Sequence, residues 1–268
     1  MNDSLMIEDC LEVMRAMPDD SVDLVLGSPP YEDARTYGIG FRLKGQEWVD
    51  WMVERWREMQ RISRGAVVMV VEGKTKNYRW TATPALLMAD LHRAGFNLRK
   101  PPAYERVGIP GSGGPDWFRN DYEFCVATTK PGKLHWSDNT ACGHAPRFAP
   151  GGKPSHQTKE GRVQKRDYKP PAKANPGNII RCHGGGGHLG SKLAHENEAP
   201  FPELLAERYI LSLVPPEGTV LDPFCGSGTV PAVAVKHGRR WIGIDVRESQ
   251  VELTTRRVAE AQQKKGEV

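Results

Sequence analysis

The sequence predicts an α/β domain with a mostly parallel central sheet, interrupted by a basic, irregular insertion. Three observations carry this. Short apolar runs closed by glycine or proline alternate with amphipathic stretches, the mark of strands and helices that follow one another along the chain. Near the carboxyl end, "TVLDPFCGSGTVPAVAVKHGRRWIGIDV" reads as strand, glycine turn, helix and strand. Between residues 131 and 198 the alternation stops, and glycine, proline and basic residues take over. With 268 residues, 38% of them hydrophobic, the chain can bury one large core. We divide it into a catalytic half at 1–130, an insertion at 131–198 and a second half of the same core at 199–268.

Taken in order, "SVDLVLG" at 21–27 is a continuous apolar run that fits a buried strand, and its carboxyl end reaches Ser28. From Gln46 to Ile62, Trp48, Met52, Trp56 and Met59 recur at three- and four-residue steps, which predicts an amphipathic helix with its arginines turned outward. "AVVMVV" at 66–71 is the next buried strand. "TPALLMADLHRAG" predicts a helix capped by Thr83, with Pro84 in its first turn and Gly95 at its end. "DYEFCVATT" at 121–129 predicts a strand, and "PFPELLAERYILSLV" a helix. No internal repeat is visible.

Charge is distributed unevenly. The net +4 conceals eleven Lys and Arg against three Asp and Glu within 131–192, where eleven glycines and seven prolines also resist regular structure. Such a stretch is either a solvated loop or a surface for a polyanion, whose phosphates it would neutralise. The apolar runs are all shorter than the roughly 18 residues a membrane helix needs, and "MNDSLMIEDC" lacks the features of a signal peptide, so a soluble, cytoplasmic protein is expected. Five cysteines at irregular spacing argue for reduced thiols. Cys142, His144, Cys182, His183, His188 and His195 include zinc-ligand residue types, but their spacing matches no standard zinc pair and no metal is expected.

Two short motifs carry chemistry. The first is "SPPY" at 28–31, where consecutive prolines forbid both ladder and helix and force a stiff corner between a hydroxyl and an aromatic ring. The second is "DPFCGSGT" at 222–229. Gly226 and Gly228 permit close backbone approach, and the following helix offers free N–H groups to the negative end of a ligand. Asp245 lies 23 residues beyond Asp222, where a carboxylate commonly holds a ribose hydroxyl pair. The loop lacks the lysine of a triphosphate site and the third glycine of a dinucleotide site, and on its own it is also readable as an ordinary βαβ turn. Asp222 for an ammonium group and Phe224 for an apolar wall point to a nucleoside that carries an ammonium, S-adenosylmethionine.

These motifs resemble the amino-group DNA methyltransferases, in which "DPFCGSGT" is a characteristic cofactor loop and "SPPY", "DPPY" or "NPPY" the catalytic corner. The likeness covers nearly the whole chain, from "MIEDCLEVMRAMPDDSVDLVLGSPPY" through "ENEAPFPELLAERYI". The corner precedes the loop, as in the beta group of that family. The resemblance implies a Rossmann-like methyltransferase fold and S-adenosyl-L-methionine as cofactor. Asp222, Pro223, Phe224, Gly226, Ser227, Gly228 and Thr229 would line its methionine portion and Asp245 would take the ribose. Asp9, with Cys10 beside it, would take the adenine, and Phe201 would pack beside the cofactor.

At the corner, Ser28, Pro29, Pro30 and Tyr31 are the expected catalytic group. The Pro29 carbonyl and the Ser28 hydroxyl can accept from an exocyclic amine, which localises its lone pair, while Tyr31 stacks on a base taken out of the duplex. In the family, a serine at the first position is associated mainly with cytosine N4, so that is the expected target. Adenine N6 is the alternative, ahead of an RNA methyltransferase or an inactive DNA-binding homologue. None of the five cysteines follows a proline, as the nucleophile of cytosine C5 methylation would. With double-stranded DNA as the partner, 131–198 becomes a target-recognition region, with Arg162, Lys165, Arg166 and Tyr168 its expected DNA contacts. A cognate restriction endonuclease and a monomeric or homodimeric state complete the expectations.

Overall fold

The structure, a computed structural model, describes residues 3–32, 40–108, 116–147, 155–164, 169–183 and 189–266. The chain begins with β1 (Ser4–Ile7), α1 (Cys10–Ala16) and β2 (Val22–Gly27). It continues through α2 (Gln46–Ile62), β3 (Ser63–Val71), a small hairpin of β4 (Thr75–Lys76) and β5 (Arg79–Trp80), and α3 (Thr83–Arg93). After β6 (Asn97–Arg99), β7 (Ala103–Val107) and β8 (Tyr122–Thr129) come a second hairpin, β9 (Ser155–Thr158) with β10 (Gly161–Gln164), and β11 (Ile179–His183). A turn of 3-10 helix (Lys192–Glu196) leads into α4 (Glu203–Leu213), β12 (Thr219–Asp222), α5 (Thr229–Lys236), β13 (Arg240–Asp245) and α6 (Glu248–Gly266). Among the described residues, no helix is long and apolar enough to cross a membrane.

Nine of the described strands form one sheet in the order β1-β13-β12-β2-β3-β8-β7-β11, with β6 also paired to β8. The pairs from β1 to β3 are parallel, as is β7 with β11, whereas β8 runs antiparallel to β3, β6 and β7. The fold is therefore a Rossmann-like α/β sheet, mixed at one side. Strand alternation sends successive side chains to opposite faces. In β3, Ala66, Val68 and Val70 join one core, with residues of α4, α5 and α6. Val67, Met69 and Val71 join a second core with residues of α1, α2 and α3. Both faces are thus covered by helices, which is why β2 and β3 read as continuous apolar runs.

Two expectations about the helices need correction. In α2, Trp48, Met52, Trp56 and Met59 are fully buried, but the arginines do not all turn outward: Arg55 is buried too. Seven residues beyond Trp48, it falls on the apolar face, and its charge is met by Asp9. In α3, the cap is Ala82, in the left-handed region at φ 57°, and Thr83 is already helical. The Thr83 hydroxyl is engaged elsewhere, donating to Glu32, and Glu32 also accepts the Gly45 amide at 2.6 Å, so the residue after the corner ties the starts of α2 and α3 together.

Within 131–198 the backbone is less irregular than its composition suggests. β11 joins the main sheet beside β7, Ile179 opposite Ala103 through His183 opposite Val107. The β9–β10 hairpin forms a separate two-stranded sheet. Among the described residues, no group of three His, Cys, Asp or Glu side chains converges as a metal site.

Candidate active site

The sheet order places β12 beside β2, with Val220 opposite Leu24 and Leu221 opposite Val25. From these neighbours the chain departs in opposite directions, β12 toward β13 and β2 toward β3. A crevice opens at the carboxyl ends of parallel strands where their order reverses in this way. Both motifs leave the sheet there, the corner from β2 and the glycine loop from β12. They touch at their bases: a Cβ on Gly27 would stand 2.5 Å from Asp222 Oδ1, so only glycine fits beside that carboxyl.

The corner is fixed from three directions. The ladder between β2 and β3 ends at Gly27 opposite Met69, which leaves the Pro29 carbonyl beyond the last pair. Trp48 of α2 donates its indole N–H to the Pro30 carbonyl at 2.8 Å. Ser28 Oγ lies 3.2 Å from the Val70 carbonyl and 3.5 Å from the Tyr31 hydroxyl, and that hydroxyl donates to Glu123 Oε2 at 2.7 Å.

The glycine loop is held by carboxylates at its two ends. Asp222 accepts the Phe224 amide at 3.0 Å, and Asp245 Oδ2 accepts the Gly226 amide at 2.9 Å. Burial pushes the Asp222 carboxyl up to about 8, opposed by the Phe224 N–H and aided by the nearby Asp245. Gly226 and Gly228 adopt φ of 50° and 74°, and Cβ atoms there would press on Asn197 and Thr254 at 2.8 Å. From α6, Thr254 donates to the Gly226 carbonyl at 2.9 Å, and the buried Arg257 donates to Ser227 Oγ at 3.1 Å and Thr229 Oγ1 at 2.9 Å. Arg257 also reaches Glu203 at 3.0 Å, so its charge is paired.

One cleft collects most of the sequence-predicted residues. Asp9, Cys10, Phe201, Pro223, Phe224, Gly226, Ser227, Thr229 and Asp245 line it, together with Ser28, Pro29, Pro30 and Tyr31. Asp222 and Gly228 lie behind this lining. Asp222 is buried at the root of the loop, and Gly228 caps α5. Arg162 is exposed on the β9–β10 hairpin, its guanidinium on Ser155 Oγ at 2.8 Å. Lys165, Arg166 and Tyr168 lie outside the described residues, as do Gly184 to Gly187 and His188.

Sequence reasoning named Asp9 but missed the residues around it and the loop, Phe41, Trp51, Arg55, Asn197 and Arg247. Asp9 caps α1 by accepting from Leu11 and is held by Arg55 at 3.0 and 3.2 Å. The Arg55 guanidinium stacks 4.1 Å from the Trp51 ring, Trp51 lies 5.8 Å from Phe224, and Phe41 meets Trp51 edge-on at 5.1 Å. This aromatic wall joins α2 to the glycine loop. The helical spacing of Trp48, Trp51 and Arg55 could have placed them on one side of α2. Asn197 and Arg247 also line the cleft, and Arg247 donates to Asp245 Oδ1 at 3.2 Å. Burial pushes the Cys10 thiol up to about 12, opposed chiefly by Arg55, and Cys225 is buried with its sulfur 3.6 Å from Thr254 Oγ1, so neither thiol is poised as a nucleophile.

A doubly wound sheet, with a proline corner and an acid-anchored glycine turn meeting at its switch point, defines a Rossmann-like methyltransferase. The chain belongs to the DNA methylase family that comprises N6 and N4 methyltransferases, whose model matches residues 22–256. It is 29% identical over 252 residues to the orphan methyltransferase M.BamHII of Bacillus amyloliquefaciens, covering 90% of this chain and 89% of that protein. It is 26% identical over 261 residues to the DNA adenine methyltransferase YhdJ of Escherichia coli (strain K12), covering 93% and 80%. Among solved structures, the PvuII DNA methyltransferase (cytosine-N4-specific) superposes with a TM-score of 0.70 at 19% identity, over 99% of this chain and 93% of that one. The putative DNA modification methylase TTHA0409 of Thermus thermophilus, complexed with S-adenosyl-L-methionine, gives 0.63 at 22% identity over 97% and 96%.

Proposed function

We propose that the protein transfers the methyl group of S-adenosyl-L-methionine to the exocyclic N4 amine of a cytosine flipped out of double-stranded DNA. The observation that carries this is the shared cleft, in which the Ser28 to Tyr31 corner and the glycine loop face one cavity from adjacent strand ends. The residues present suit the cofactor. Asp245 offers a carboxylate for the ribose, Asp9 an acceptor for the adenine amine, and Phe224 with Phe201 an apolar wall. Asp222 and Gly228 shape the loop that takes the methionine portion. When bound, the cofactor supplies an electrophilic methyl on a sulfonium.

The chain's own groups do the rest. The Ser28 hydroxyl and the Pro29 carbonyl accept from the amine and favour its localised lone pair, as preorganised acceptors aimed at developing positive charge. Tyr31 stacks on the extruded base, whose unstacking costs about a few kcal/mol. In the insertion, Arg162, Lys165, Arg166 and Tyr168 hold DNA, their cations on phosphates and the ring against sugar or base.

Serine at the head of the corner supports cytosine. The likeness to a protein named as an adenine methyltransferase supports the second reading, adenine N6. Nucleoside mass spectrometry of duplex DNA incubated with the protein and cofactor separates them. N4-methylcytosine is the expected product, and N6-methyladenine alone would replace the first reading with the second.

A further inference from the structure

We infer that Glu123 is a positioning residue for methyl transfer, setting the direction of the hydrogen bonds at the catalytic corner so that Ser28 Oγ presents its lone pairs to the amine; this rests on the reading of the corner given above. Glu123 lies on β8, 92 residues from Tyr31, yet its Oε2 accepts the Tyr31 hydroxyl at 2.7 Å. Its Oε1 faces Arg106 Nη1 at 3.4 Å, and Arg106 is itself tied to the Asn120 carbonyl at 2.7 Å. Both side chains are largely buried, and a carboxylate ion-paired in this way accepts and cannot donate.

A tyrosine hydroxyl has one hydrogen. With that hydrogen on Glu123, Tyr31 has none to give Ser28, 3.5 Å away, and can only accept. The Ser28 hydrogen then goes to the Val70 carbonyl at 3.2 Å or to Tyr31, and in either case the serine donates to protein. Its lone pairs remain for the incoming amine. The same bond fixes the tilt of the Tyr31 ring. A second acid lies near Glu123: Glu72, one residue past β3, accepts from Gly73 N at 2.8 Å and Trp80 Nε1 at 3.0 Å. Burial raises Glu72 to about 7, those two hydrogen bonds oppose the rise, and the charge of Glu123 adds to it, which places the two acids in one electrostatic neighbourhood.

The test is Glu123→Gln in wild-type and Tyr31→Phe backgrounds. Beside Arg106 a glutamine turns its oxygen to the guanidinium and its NH2 to Tyr31, which redirects the tyrosine hydrogen to Ser28 and occupies a lone pair. Single-turnover transfer from saturating S-adenosylmethionine to duplex DNA is expected to slow about ten- to a hundredfold in Glu123→Gln. DNA KM should change little. In the Tyr31→Phe background the same substitution should add almost nothing, because the bond it reverses no longer exists. Equal losses in both backgrounds, or a wild-type rate in Glu123→Gln, would overturn the assignment. Should Glu123→Gln fail to fold, Tyr31→Phe alone decides. It keeps the ring and Ser28 still donates to Val70, but the bond that holds the ring's tilt is gone, so it should slow transfer at unchanged DNA KM, and a wild-type rate would refute the positioning role. The methylated nucleoside is identified in the wild-type digests, so an error in the target base shows there as N6-methyladenine and leaves the rate comparison intact.

Discussion

The two strand ends that meet at the cleft are held in different ways. After β12, the chain turns through glycines, and its shape is imposed from outside, by Asp222, Asp245, Thr254 and the buried Arg257. After β2, stiffness is covalent, since two prolines fix the backbone, and among the described residues the side chains of Trp48 and Glu123 reach in to orient the corner. A loop that must offer amides has to be flexible in sequence and therefore braced by neighbours. A corner that must offer acceptors can be rigid on its own.

The contrast can be broken most forcefully on the braced side. Arg257→Ala leaves Glu203 buried with one cation fewer and the loop hydroxyls without their donor, so a loss of about 3–5 kcal/mol is expected in denaturant unfolding. Cofactor affinity measured by calorimetry should fall with it. On the rigid side the expected loss lies in rate. Ser28→Ala and Tyr31→Ala should each lower methyl transfer by about 10²-fold or more while cofactor affinity by calorimetry stays near wild type. If either variant instead lost cofactor binding first, the two sides would not be separable.

A smaller effect sharpens the difference through pH. The folded Asp222 pKa, about 8, lies above the ordinary carboxylate range, so the folded protein without cofactor binds this proton more tightly than the unfolded chain. Its contribution to stability is fully present below about pH 4 and is lost as pH rises through about 8, with a slope of up to about 1.4 kcal/mol per pH unit. Asp222→Asn should remove that slope from unfolding curves taken between pH 5 and 8. An ammonium group bound near the loop favours the carboxylate, so cofactor affinity should rise over the same interval in the wild type and not in the variant. The smallest change is expected on the β9–β10 hairpin, where Arg162→Ala should reduce the slope of log affinity for DNA against log salt by about 1.

Much of this was legible in the sequence, and the boundary of legibility has a physical cause. The 46–62 helix announces itself through periodicity, and β2, β12 and β13 through short apolar runs, because each has to bury surface that its own residues define. The corner and the glycine loop are legible because proline and glycine restrict the backbone locally. Glu123 as partner of Tyr31, and β11 as partner of β7, leave no such mark, since those contacts are made by the sheet order and not by spacing. Arg55 was misread for a related reason. Its charge suggested solvent, while its position on α2 demanded burial, and the partner that reconciles the two, Asp9, lies 46 residues away. Thr83 shows the reverse case, a residue with the chemistry of a cap whose hydroxyl is claimed by a distant acid.

The contact between Gly27 and Asp222 joins residues from opposite ends of the chain by lateral adjacency in the sheet, and no covalent order is written into it. α6 packs back along β1 and β13, bringing the end of the last helix toward the edge where the first strand begins. A circular permutant opened in the basic stretch, with those ends joined by a short linker, would present the loop before the corner and still assemble the same cleft. Chain order in such a protein is a matter of which connection is cut.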